Sequence, residues 1–166
     1  LRVGWFEDDG VHPVTSETRQ AVRNAAHKLG EQGLRVDPFQ LHGMESAREL
    51  WWTFFGVVAT TLLAPMIKGR ENDLHPVVGG LIPPVEEAAA VTYEKFLETW
   101  LARDTLRASL LEQMQDHQVL LCPVGSVPAF RHGERSWTID GREVTYEQAF
   151  TPCVIFNLFG NPSVVV

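Results

Sequence analysis

Apolar positions divide the chain into short solid runs and long stripes at helical spacing, which predict strands and helices respectively. The run Arg2-Val3-Gly4-Trp5-Phe6 predicts a short core strand. After an acidic loop, Thr15 can cap a helix whose Ala21, Val22, Ala25, Ala26 and Leu29 share one face. Gly30 or Gly33 ends that helix, and Leu34-Arg35-Val36-Asp37 predicts the second strand of a βαβ unit. Glu45 to Leu63 predicts a helix dense in Trp51, Trp52, Phe54 and Phe55. The pattern fails from Ala64 to Ala90, where Pro65, Pro76, Gly79, Gly80, Pro83 and Pro84 predict a long loop with one short helical turn.

Thr92 to His117 predicts the longest helix. Tyr93, Phe96, Leu97, Trp100 and Leu101 mark its stripe, continued after a phase shift by Leu106, Leu110, Leu111 and Met114. Val119-Leu120-Leu121-Cys122 predicts a core strand stopped by Pro123, and Gly125 to Gly133 reads as irregular. Ser136 to Ile139 and Arg142 to Val144, joined by Asp140-Gly141, spell a hairpin with a two-residue turn. The closing stretch predicts a short helix with Thr151 as N-cap, Pro152 at the first position and Gly160 past its end. Asn161-Pro162 then turns the chain into a Val-rich strand. Nothing from Phe150 to Val166 is charged, so helix and strand are both expected to be interior. A chain stopping inside a buried strand reads as part of something larger. The expected class is α/β, with about four core strands and a hairpin beneath three long helices. Residues 1–166 would form a single partial domain.

Composition narrows the partners. A chain of 166 residues can bury a sizeable core. The net charge is −7 and its 14 basic residues are scattered, which argues against nucleic acid and anionic membrane. The most apolar stretch, Trp51 to Ile67, is interrupted by Gly56 and Pro65, so no membrane-spanning helix is expected. Cys122 and Cys153 read as buried reduced thiols, a pattern consistent with the cytoplasm.

The candidate chemistry is thin. Asp8 and Asp9 follow the first strand, as the metal acids of a receiver domain do. The later acid and lysine of such a site have no counterpart, so the pair reads as a solvated loop. No Gly-rich phosphate cradle follows the strand, and no dinucleotide cofactor is expected. Six histidines (His12, His27, His42, His75, His117, His132) show no metal spacing, and neither HExxH nor CxxC occurs. There is no GxSxG elbow. A thiol enzyme using Cys122 or Cys153 with a histidine neighbour stays as an alternative.

The order of segments carries a resemblance. The opening strand with its Asp9-Gly10 loop and the helix start Pro13-Val14-Thr15-Ser16-Glu17-Thr18 are one part of it. Arg103-Asp104 through Asp116-His117-Gln118-Val119-Leu120-Leu121-Cys122-Pro123, followed by Pro128-Ala129, is a second. The closing Phe156-Asn157-Leu158-Phe159-Gly160-Asn161-Pro162-Ser163 completes it. In these parts the chain resembles the amidase signature family. The resemblance implies the C-terminal portion of an amidase-type α/β/α fold, with a mixed sheet covered by helices. It also implies hydrolysis of a small-molecule amide by a Ser-Ser-Lys triad, in which the nucleophilic serine passes its proton through a second serine to a lysine base. No Gly-Ser-Ser stretch occurs here, so no triad residue is assigned to this chain. What the resemblance does assign is pocket wall: Phe150, Thr151, Cys153 and Val154, and more weakly Trp51, Phe54 and Phe55. No metal or cofactor is implied. Bare strand edges would allow self-association. The competing reading is a non-catalytic binding or scaffolding module built on the same fold.

Overall fold

In the computed structural model, which describes residues 1–166, β1 (Arg2–Trp5) lies between β2 (Arg35–Pro38) and β3 (Val119–Leu121). Both pairings are parallel, with Val3 opposite Val36 on one side and Val119 on the other. Each parallel pairing needs a crossover, and the first is α1 (Ser16–Glu31). Gly4 allows the layers above the sheet to close in. A Cβ there would meet Leu120 and Phe39 side-chain atoms at 3.0 Å.

Thr15 caps α1 as expected, its Oγ1 accepting the Thr18 N–H at 3.3 Å. Val22 and Ala26 bury the predicted face. Thr15→Ala is expected to cost about 1 kcal/mol, because an orphan amide of the first turn loses its partner. Urea unfolding of the variant beside the parent measures this directly.

The aromatic helix is longer than its sequence suggests. α2 (Met44–Trp51), a π-helical segment (Trp52–Val58) and α3 (Ala59–Ile67) run on without a break. The break expected at Ala64 does not occur. Pro65 sits in the last turn, where the single ladder bond it deletes is a small loss. The π-helical segment lays the Trp52 ring against Gly56, where a Cβ would come within 3.0 Å of it. By length and composition alone this helix could cross a membrane, a property the interrupted sequence pattern concealed. Its first turns, with Met44 and Ala47, belong to the core. The expected long loop after it holds three short turns instead: a 3₁₀ turn (Glu71–Asp73), α4 (Pro76–Gly80) and α5 (Val85–Ala89).

α6 (Tyr93–Gln113) follows its cap, Thr92. The second half of its stripe works as expected: Leu110 is buried in the core, with Leu106 and Met114 packed against it. The first half does not. Tyr93 is 77% exposed and Leu101 69%, while Phe96 and Trp100 pack on each other and meet Phe54 edge-on. The main core gathers Phe6, Leu41, Met44, Ala47, Leu110, Ile155, Leu158 and Phe159.

The hairpin of β4 (Ser136–Ile139) and β5 (Arg142–Thr145) forms as predicted. Asp140 and Gly141 both take positive φ, the type I′ signature. A one-turn helix not anticipated from sequence, α7 (Tyr146–Ala149), then starts on a reciprocal capping box between Thr145 and Gln148. α8 (Thr151–Phe159) is buried through Thr151, Pro152, Ile155, Leu158 and Phe159, and Gly160 closes it in the left-handed region. Its start differs by one residue: Phe150 is the N-cap, and Thr151 Oγ1 donates to the Gln148 carbonyl at 2.8 Å. The closing strand is a correction. Residues 161–166 form no strand and Val164, Val165 and Val166 are exposed, so the sheet has three strands rather than four. A strand exists only with a ladder partner, and none of the three strands pairs with this stretch.

Candidate functional site

The expected wall residues fall into two separate groups. Phe150 belongs with the hairpin cluster of Ile139, Val144 and Ala149. Its ring packs against Tyr146 at 5.0 Å and Phe130 at 6.4 Å between centroids. Thr151 is buried, and Cys153 and Val154 are half-buried on the first turn of α8. Cys153 Sγ donates to the Val124 carbonyl at 2.9 Å and lies 3.2 Å from the Phe150 carbonyl, which ties α8 to the loop after β3. Trp51 and Phe54 instead pack against the main core, and Phe55 stacks on Trp51 at 5.5 Å. The structure therefore does not gather all seven residues around one cavity.

Two contacts fix the position of α8. Trp51 Nε1 donates to Asn157 Oδ1 at 2.5 Å, and Arg103 Nε donates to the Leu158 carbonyl at 3.1 Å. A cation on the last carbonyls of a helix also complements its dipole. Arg103→Gln is expected to lower stability by about 1–2 kcal/mol, since a charged donor is lost from a half-buried acceptor. Chemical denaturation measures the loss, and an unchanged midpoint would remove this role.

Burial disfavours the thiolate form of both cysteines. Burial pushes the Cys122 thiol up to about 12, helped by nearby Cys153, and burial also raises Cys153 itself. Iodoacetamide is therefore expected to leave the folded chain unmodified on a timescale that alkylates both cysteines in urea. The folded state holds these protons more tightly than the unfolded state. Stability is then retained below the ordinary thiol range and falls as pH rises above it.

The acidic loop is built for structure. Glu7 pairs with Arg23, which holds its carboxyl below the usual range, and Asp8 lies 3.7 Å from Arg19. Asp9 is buried, and its Oδ1 accepts the Val11 and His12 amides at 2.9 and 3.2 Å. Burial lowers the His12 pKa, against the pull of Asp9 and together with Arg48. The loop and the ends of β1 and β2 enclose a cavity of about 300 Å³. Ser126 is fully buried and exposes no hydroxyl to it.

A second cavity, of about 330 Å³, escaped the sequence reading. Its walls include His75, Phe130, Arg131, His132, Arg135 and Tyr146. These positions lie in stretches that carry no periodicity. The available signal was the turn Arg131-His132-Gly133-Glu134-Arg135, which repeats a basic residue across a glycine.

A sequence profile of the amidase family matches residues 1–166. No curated protein matches the chain. Among solved structures, an amidase is 20% identical with a TM-score of 0.77, covering 96% of this chain and 36% of that one. A bacterial aryl acylamidase of the amidase signature family is 17% identical with a TM-score of 0.68, covering 95% of this chain and 34% of its own length. An inhibitor-bound vestigial protein complex, tied to the evolutionary origins of an s-triazine catabolic enzyme, is 16% identical with a TM-score of 0.77. It covers 96% of this chain and 34% of that one. The chain thus spans about a third of the length of the solved structures it matches.

Proposed function

Because the chain belongs to the amidase family, we propose that it is part of an enzyme that hydrolyses carbon–nitrogen amide bonds. In that reaction water is consumed, the amide C–N bond breaks, and a carboxylate and an amine are released. These 166 residues would supply sheet core and a stretch of pocket wall, with the nucleophile and its base on other residues of the enzyme. The family match along all 166 residues carries this reading. Two further observations support the division of labour: the chain has no Gly-Ser-Ser stretch, and burial holds both of its thiols neutral. The wall would be the outer face of the first turn of α8, where Phe150, Cys153 and Val154 are half-buried above buried Thr151.

The test uses the protein translated from the full reading frame and a chromogenic anilide. Hydrolysis of the anilide is expected. Val154→Trp should raise KM about tenfold with little change in kcat, as expected when only uniform binding is removed. Absence of hydrolysis across acyl, aryl and aminoacyl amides would leave the chain as a binding or scaffolding module.

A further inference from the structure

The cavity beside Phe150 collects positive charge in an acidic protein. The chain carries a net −7, yet this cavity is lined by two guanidinium groups, two imidazoles and no carboxylate. Neither Arg131 nor Arg135 belongs to an ion pair, whereas Arg2, Arg19, Arg23, Arg70 and Arg103 all do. The neighbouring acid, Glu134, does not line the cavity. Its Oε2 accepts the Arg131 amide at 3.1 Å and the Trp137 indole at 3.4 Å.

Local backbone geometry brings the two arginines together. The Glu134 N–H bonds the Arg131 carbonyl at 3.2 Å, and Gly133 has φ +90°. A positive φ at the third residue of a four-residue turn is the type II pattern, which needs glycine there. The Arg135 guanidinium lies over the Tyr146 ring, 5.4 Å from its centroid, and its NH1 donates to the Glu134 carbonyl at 2.6 Å. These contacts restrict the side chain before any ligand arrives. Phe130 stands 6.1 Å from Tyr146, nearly perpendicular to it, and supplies an apolar wall. A volume of about 330 Å³ falls within the range of small-ligand sites.

From this arrangement we infer that the cavity binds a small aromatic carboxylate. The ring would lie against the outer face of the Phe130–Tyr146 pair, and the carboxylate would accept N–H bonds from Arg131 and Arg135. Guanidinium forks match carboxylates in shape and charge. Phe150 touches both aromatic walls, so the site adjoins the stretch assigned above to the substrate wall. Its use as the anchor for an acidic aryl group of the substrate, or for the acid released on hydrolysis, rests on the amidase reading. Binding itself does not.

The experiment titrates the isotopically labelled protein from the full reading frame with benzoate and follows the backbone amides of residues 130–137 and Tyr146. Saturable shifts are expected, with benzyl alcohol, the neutral analogue, at least tenfold weaker. Arg131→Gln and Arg135→Gln are each expected to weaken benzoate about tenfold. Both side chains are exposed, so folding is not at stake, and the unchanged remainder of the spectrum verifies this. Benzoate binding no tighter than benzyl alcohol, or equal binding by both variants, would overturn the inference. Benzoate binding in a full-length protein that hydrolyses no amide would remove the amidase reading and leave this site standing.

Discussion

Replacing Ile155 by alanine is expected to destabilise the protein by about 2–5 kcal/mol, the usual range for a fully buried isoleucine. Ile155 has no exposed surface, and it belongs to a core cluster drawn from several elements. Phe6 comes from the end of β1, Met44 and Ala47 from α2, and Leu110 from α6. Removing three carbons there leaves a cavity that three surrounding segments would have to close at once. The helix cannot follow easily, because Arg103 and Trp51 hold its far end. Ile155→Val removes one methylene and should cost only about 0.5–1.5 kcal/mol. Urea midpoints for the pair test the argument. Equal midpoints for alanine and valine variants would mean that the site is not packed as described.

The second large effect is expected at Gly125, where no positive φ is involved and sterics alone decide. A Cβ at this position would stand 2.9 Å from the Ala149 carbonyl oxygen and 3.3 Å from the Phe150 ring. The backbone has little freedom to retreat. The Ser126 N–H donates to that same carbonyl at 2.6 Å, and the Thr15 N–H bonds the Ser126 carbonyl at 2.8 Å. Gly125→Ala should therefore cost about 1–3 kcal/mol, the usual range for overpacking. Amide exchange at Ser126 should also accelerate, because its hydrogen bond must lengthen. A stability change within about 0.5 kcal/mol, the range of ordinary surface substitutions, would contradict this account.

Parts of the fold with local causes were legible in the sequence. The Thr15 cap, the Asp140-Gly141 turn and the Gly160 terminator each rest on a backbone requirement that one or two residues satisfy. The capping box that starts α7 was equally legible in Thr145 and Gln148, although no helix was expected there. The errors arose where partners elsewhere decide. Pro65 predicted an end to the aromatic helix, yet the helix continues to Ile67. Val164 to Val166 predicted a strand, but a strand is a property of two segments, and no strand of the sheet pairs with them.

The same reasoning applies to α6. Its stripe identified apolar positions correctly, but periodicity cannot tell which half of a stripe meets a core. Leu110 does, whereas Leu97, Leu101 and Tyr93 face outward. For the site, the sequence singled out Phe150, Thr151, Cys153 and Val154 on one helix turn. Trp51, Phe54 and Phe55 were grouped with them by aromatic content alone, and they sit in another cluster. The basic cavity was illegible because His75 and Tyr146 are 71 positions apart and meet only through tertiary packing.

The central claim is that an amidase nucleophile lies outside these 166 residues while the fold and wall lie within them. Intact-mass analysis of fluorophosphonate labelling tests it most directly, on this chain beside the protein from the full reading frame. The account predicts one phosphonyl adduct on the longer protein and none on the 166-residue chain. A single stoichiometric adduct on the short chain would contradict it and place a reactive serine among the residues described above.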